Sequence, residues 1–192
     1  MDNKSISALI LSGGRGHRMG GADKGLMSWQ DKPLIEHIIN TLKKQVGQIL
    51  LSCNRNIETY QTYGLPVIND QIPNFQGPLS GILATLNSGL CTGELLLICP
   101  CDCPTLPDGL AENLFRQKRE KNLDCIYVYD GERDQYLLAL ISTNCKNSLE
   151  KYISTGGRSV KGWYKTLNCG RAEFSDIKSH FLNLNTCSEL KK

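Results

Sequence analysis

The chain has 192 residues, 40% of them hydrophobic, and a formal net charge of +3. That length suits one sizeable core and is short for two domains of ordinary size. The charges are scattered, without the basic footprint of a dedicated nucleic-acid binder, and no apolar run approaches the ~20 residues of a membrane span, so a soluble, cytoplasmic protein acting on small anionic ligands is expected.

The first predicted strand, Ser7 to Leu11, runs straight into a loop ending at Lys24 that holds five glycines and the cations Arg15, Arg18 and Lys24. Glycines let backbone N–H groups converge on anionic oxygens, and the cations add full charge, so the loop reads as a phosphate site. It is not a Walker A loop, because Gly25 rather than Ser or Thr follows Lys24. The dinucleotide fingerprint comes closer through Gly14 and Gly16, but Met19 stands at its third position and Gly20 arrives one residue late. A glycine-rich surface turn without a ligand is the plain alternative. Lys24 ends the loop on a flexible stem, and Arg18 brings a planar fork; both fit phosphate, or else are surface cations. Arg15 and His17 read as solvated.

A helix is predicted from near Pro33, with Leu34, Ile38, Ile39 and Leu42 on one face, Lys43 and Lys44 in its last turn and Gly47 as its stop. Strands follow at Ile49 to Ser52 and Pro66 to Ile68, then a helix over Leu79 to Asn87 and a buried strand at Leu95 to Cys99. The helix after Pro107 turns Leu110, Leu114 and Phe115 inward, with Arg116, Lys118, Arg119 and Lys121 outward or near its end as a solvated face. Ile126 to Tyr129 and Tyr136 to Ile141 form an antiparallel pair across Asp-Gly-Glu-Arg-Asp. Helices are expected at Ser148 to Ile153 and Ser159 to Thr166, a late strand at Phe181 to Leu184, and a capping box at Thr186 and Glu189. This alternation predicts an α/β domain with a mainly parallel, mixed sheet.

In open α/β sheets ligands bind beyond the carboxyl ends of the strands. Ser12, Gly13 and Gly14, then Ser52 and Asn54, then Asp70, then Asp102 follow the first four strands and should meet there. Asp102 sits just past a buried strand, where a carboxylate is costly unless a cation or donors compensate. Magnesium suits it, since that ion takes few protein carboxylates plus phosphate and water; a turn or cap before Pro104 is the alternative. Cys99, Cys101 and Cys103 are too close together to close a zinc tetrahedron and read as small buried hydrophobes. The odd count of nine cysteines fits reduced thiols rather than a disulfide framework.

The Leu11 to Lys24 loop resembles the signature loop of nucleotidyltransferases with a glycosyltransferase-A-like fold. Lys32-Pro33-Leu34, Asn54-Arg55, Asp70, Gly77-Pro78-Leu79-Ser80-Gly81, Cys99-Pro100-Cys101-Asp102, Asp130-Gly131-Glu132-Arg133-Asp134 and Asn183-Leu184-Asn185-Thr186 extend the likeness over nearly the whole chain. Together they resemble the molybdenum cofactor guanylyltransferase family, also known as the molybdopterin-guanine dinucleotide biosynthesis protein A family. The resemblance implies a single-domain Rossmann-like three-layer sandwich, with a nucleotide-binding half over about residues 1–106 and an acceptor-binding half over about 107–192.

It further implies transfer of GMP from GTP to the terminal phosphate of molybdenum-bearing molybdopterin, with release of pyrophosphate. Leu11, Ser12, Gly13, Gly14, Lys24, Ser52, Asn54, Asp70, Pro78 and Asp102 would bind nucleotide, Asp102 would hold Mg2+, and Lys24, Arg18 and Asp102 would act in catalysis. Asp70 as a turn cap and Pro78 as a helix starter are the local alternatives. Arg133, Arg158, Asn183 and Asn185 are the acceptor candidates, with Gly156-Gly157-Arg158-Ser159 as a possible second anion cradle. The chain departs from the family pattern in three places. Ser12 stands for an alanine, Ser52 for a frequent asparagine, which leaves the contact to either Ser52 or Asn54, and Gln135-Tyr136 for His-Pro beside the acceptor. A related cytidylyltransferase, a sugar-nucleotide pyrophosphorylase, a dinucleotide-dependent oxidoreductase and a GTP-binding carrier are the competing functions. A monomer is expected, with transient contacts to other proteins of molybdenum cofactor biosynthesis.

Overall fold

The computed structural model of the chain describes residues 5–12, 22–69, 77–181 and 184. The apolar run Ile6–Leu11 forms β1. Successive strand side chains point to opposite faces, so Ile6, Ala8 and Ile10 enter one apolar cluster and Leu9 the other. Past the loop, a 3₁₀ turn at Lys24–Leu26 leads to a small hairpin of β2 (Ser28–Trp29) and β3 (Lys32–Pro33), then to α1 (Leu34–Leu42). The sequence pattern does not announce the hairpin. Gln30 and Asp31 turn it with φ of 49° and 63°, the positive values that a two-residue connection favours. His37 fastens it to α1, with Nε2 2.9 Å from the Trp29 carbonyl oxygen. Pro33 is the N-cap of α1 rather than a first-turn residue, and Lys43 is its C-cap, so the two lysines fall at and beyond its end.

β4 (Gln48–Ser52), α2 (Ile57–Gln61) and β5 (Val67–Ile68) follow, then α3 (Pro78–Asn87) with Pro78 in its first turn, and β6 (Leu95–Pro100). The second half holds α4 (Leu110–Glu120), β7 (Cys125–Tyr129), β8 (Asp134–Ser142), α5 (Lys146–Ser154), α6 (Val160–Tyr164) and β9 (Cys169–Glu173). Seven strands form one sheet in the order β5-β4-β1-β6-β8-β7-β9. β8 pairs antiparallel with both neighbours, while every other pairing in that sheet is parallel. The mainly parallel, mixed sheet is thus as expected. α1, Tyr60 of α2 and α4 share one apolar cluster; α3, α5 and α6 share the other, giving three layers. Among the described residues no helix is long and apolar enough to cross a membrane.

Two expectations need correction. Lys118 does not point outward: it lies four residues after Leu114 on the inward face of α4, is buried, and donates from Nζ to Ser142 Oγ at 2.6 Å. Its desolvation lowers the ammonium pKa. Phe181 belongs to no strand; it closes a 3₁₀ stretch, Ser175–Phe181, and packs on Phe174 at 5.4 Å. β9 is an additional edge strand, in which Ala172 is the residue that buries. Residues 182 and 183 and the capping box at Thr186 and Glu189 lie outside the described residues.

Candidate active site

The chain builds outward from β1 through β4 to β5, then returns by α3 to β6 on the other side of β1. The carboxyl ends of β1 and β6 therefore flank the point where strand order reverses, which is where such sheets bind ligands. Backbone hydrogen bonds extend the pairing past the strands here. Cys101 N–H donates to the Leu11 carbonyl at 3.2 Å, and Ser12 N–H to the Ser52 carbonyl at 2.8 Å. Asp102 is thereby carried to the crevice, and its own carbonyl accepts from Leu184 N–H at 2.9 Å.

Lys24 arrives from the other side of the loop. Its Nζ lies 3.2 Å from Asp102 Oδ2, with 25% of the lysine and 18% of the aspartate side chain exposed. The pair is close enough for direct attraction and open enough to exchange partners. Sequence reasoning missed what holds Lys24 in place. Asp23, 8% exposed, accepts from Tyr60 Oη at 2.7 Å and from Asn56 Nδ2 at 3.0 Å. The only sequence signal for this is the adjacency of Asp23 to Lys24, because α2 is too short to show a helical period.

Ser12 and Ser52 are both buried, whereas Asn54 is exposed. α3 lies directly over Ser52: a Cβ on Gly81 would stand 2.5 Å from Ser52 Oγ and 3.1 Å from Leu11 Cδ2. The absence of a side chain at Gly81 thus lets the first turn of α3, with Pro78, approach β1 and β4. Leu11, Ser12, Lys24, Ser52, Pro78 and Asp102 come together around one corner. Gly13, Gly14, Arg18, Asp70, Asn183 and Asn185 lie outside the described residues, as do Arg15 and His17.

The sheet topology also brings the start of β8, next to the acceptor candidate Arg133, to the same end as the close of β6. Asp130 organises the preceding turn, accepting from the N–H groups of Glu132 and Arg133 at 2.8 and 2.7 Å and from Gln135 Nε2 at 2.7 Å. Arg133 is exposed on this turn. Tyr136 Oη donates to Asp134 Oδ2 at 2.8 Å; burial, then this bond, push the phenol up to about 12. The two residues that replace His-Pro are therefore engaged in the turn. The reading of Gly156 to Ser159 as an anion cradle does not hold. Gly156 and Gly157 N–H donate to the carbonyls of Ile153 and Tyr152, and Ser159 Oγ accepts from Gly162 N–H. Arg158 Nη1 donates to the carbonyls of Ile153 and Gly157, at 3.3 and 2.8 Å.

Among the described residues, no three His, Cys, Asp or Glu side chains gather as a metal site. Cys99, Cys101 and Cys103 sit in the α1 and α4 layer as buried free thiols. Burial first, and then the charge of Asp102, raise the pKa of Cys101 and of Cys103 to about 12. A lone Asp102 carboxylate fits an ion such as Mg2+ whose other ligands are phosphate and water, and does not fit a closed all-protein site.

The doubly wound sheet with a cation–carboxylate corner at its switch point is an α/β architecture suited to holding a phosphate-bearing ligand. Molybdopterin-guanine dinucleotide biosynthesis protein A from Archaeoglobus fulgidus has the same fold, with a TM-score of 0.77 at 21% identity over 96% of this chain and 95% of that one. The chain belongs to the MobA-like NTP transferase domain family, which it matches over residues 8–169. Its relatives include molybdenum cofactor guanylyltransferases from Mannheimia succiniciproducens, 41% identical over 97% of both chains, and from Polynucleobacter asymbioticus, 42% identical over 98% of this chain and 95% of that one.

Proposed function

We propose that the protein transfers the guanylyl group of GTP to the terminal phosphate of molybdenum-bearing molybdopterin, releasing pyrophosphate and forming the guanine dinucleotide cofactor. The observation that carries this is the Lys24–Asp102 pair at the switch point in a chain whose guanylyltransferase relatives match it almost end to end.

The nucleophile is a phosphomonoester with a second pKa near ~6, so at neutral pH it is largely ionised and requires no general base. The described histidines are engaged structurally: His37 contacts the Trp29 carbonyl and His180 Nδ1 that of Thr105. The protein's task is to align the acceptor phosphate, the α-phosphorus and the leaving pyrophosphate, and to meet the charge on them. Lys24 exchanges Asp102 for the nucleotide phosphates, and Arg18 joins it on the leaving pyrophosphate. Asp102 is the residue that would hold Mg2+, and the bound ion supplies charge neutralisation on the phosphate oxygens.

Leu11 and Ser12, with the glycines Gly13 and Gly14 that follow them in the sequence, would offer backbone N–H groups to the phosphates. Exposed Asn54, two residues past the end of β4, rather than buried Ser52, is the side chain that would reach the nucleotide. Asp70 and Pro78 would bind ribose and base, while Arg133, Arg158, Asn183 and Asn185 would receive the acceptor. The test is pyrophosphate release by purified protein with Mg2+, molybdenum-bearing molybdopterin and each of GTP, CTP, ATP and UTP. Release with GTP alone is expected. Preference for CTP moves the chain to a cytidylyltransferase, and no release with any nucleotide overturns the proposal.

A further inference from the structure

We infer that Asp23, Tyr60 and Asn56 form a clamp that positions Lys24, with Asp23 and Tyr60 serving the transfer through Lys24 and not by touching substrate. The inference deepens the role given to Lys24 above and rests on it. The backbone is gripped on both sides of that lysine. On one side is the Asp23 carboxylate, bonded by Tyr60 Oη at 2.7 Å and Asn56 Nδ2 at 3.0 Å. On the other is Gly25, packed so closely under Tyr60 that a Cβ there would stand 2.5 Å from the hydroxyl. Arg55 Nη2 adds a longer bond to the Ala22 carbonyl at 3.4 Å.

Every anchor comes from α2 or from the two residues just before it. Asn56, the N-cap of that helix, takes φ of 50°, a left-handed conformation that asparagine tolerates better than most residues. Tyr60 is fully buried. Burial, and then its bond to Asp23, hold the phenol far above the usual tyrosine pKa, so it is a permanent donor. A nearly buried carboxylate is an expensive way to fasten a loop, because desolvating a charge costs more than desolvating an amide or hydroxyl. What distinguishes this position is its neighbour. A lysine stem has many rotamers, and a reacting group misplaced by about 1 Å can lose on the order of 10²-fold in rate. Fixing the residues before and after Lys24 sets where its stem begins and which way it leaves the backbone, which aims the ammonium toward Asp102.

Two measurements on the full chain test this, one of them independent of catalysis. Competitive acetylation, read by mass spectrometry, reports how exposed and how ordered Lys24 is. Tyr60→Phe and Asp23→Asn should each change Lys24 labelling about threefold or more while the other lysines keep their rates. Unchanged Lys24 labelling in both variants overturns the clamp.

The second measurement is a double-mutant cycle on pyrophosphate release. Tyr60→Phe should lower kcat about tenfold with a GTP KM within about twofold of wild type, and should have no further effect in Lys24→Ala, because coupled residues are non-additive. Equal losses in the two backgrounds would mean that Tyr60 only supports the fold. The exchange Asp23→Asn with Asn56→Asp keeps a hydrogen bond between the two sites with donor and acceptor reversed, and should return kcat most of the way from the Asp23→Asn value; no recovery would count against the clamp. Should wild type release no pyrophosphate with any nucleotide, the transferase reading falls, and the labelling still decides whether α2 positions Lys24.

Discussion

Lys24 and Asp102 form an ion pair whose side chains are 25% and 18% exposed. Pairs this open add little to stability, roughly 0–1 kcal/mol, so their worth lies in the reaction. Lys24→Ala and Asp102→Asn should each lower pyrophosphate release by on the order of 10²–10³-fold while melting stays close to wild type. Near-normal turnover in either variant would remove that residue from the mechanism.

The thiols beside the site give a pH prediction. Cys101 and Cys103 have an ordinary value of 9.0, which burial and then Asp102 raise to about 12 in the folded chain. A raised folded-state pKa means that the contribution to stability is complete below pH 9 and is lost as unfolded thiols ionise between 9 and 12. Each such thiol steepens the decline by up to about 1.4 kcal/mol per pH unit. Urea midpoints should hold steady at neutral pH and fall above pH 9, and Cys101→Ala should flatten that fall; superimposable pH curves for the two proteins would contradict it.

At the scale of elements, the contact between α3 and the ends of β1 and β4 depends on Gly81. Gly81→Ala brings a methyl to 2.5 Å from Ser52 Oγ, and overpacking of this kind costs about 1–3 kcal/mol. Denaturant titration should show that loss together with a raised KM for GTP. Adding Ser52→Ala, which removes the opposing oxygen, should recover most of both, and a double variant no better than the single one would place the strain elsewhere.

Elements with a strong period were legible in the sequence. β1, β4 and β6 are apolar runs, and α1 shows Leu34, Ile38 and Leu42 at helical spacing. The misses share a cause, which is shortness or dependence on neighbours. β2 and β3 are two residues each and α2 is five, too short to carry a period. β9 reads Cys-Gly-Arg-Ala-Glu, and becomes a strand because β7 offers it an edge. Lys118 follows Leu110 and Leu114 at intervals of four, so its direction was in the spacing, but its charge argued for solvent; Ser142 Oγ reverses that by accepting its hydrogen bond. Of the site, Lys24 and Asp102 were readable because loop chemistry and strand ends single them out. The Asp23 clamp was not, since its partners are 33 and 37 positions away in the chain.

For the whole molecule, one sheet joins the strands before α4 to the strands after it through the pairing of β6 with β8. Unfolding of either side should therefore take the other with it. Trp163, fully buried in the α3, α5 and α6 layer, is a suitable probe. Trp163→Ala should cost about 3–5 kcal/mol. It leaves Trp29, beside α1, as the remaining tryptophan, and Trp29 fluorescence and far-ultraviolet circular dichroism should report one midpoint in urea. Separate midpoints would divide the chain into two folding units.

Asp130 gathers the turn between β7 and β8, accepting from Glu132, Arg133 and Gln135. A turn gathered on one carboxylate stands or falls with it: Asp130→Ala would take the partner from two backbone N–H groups and from the Gln135 amide in a single step.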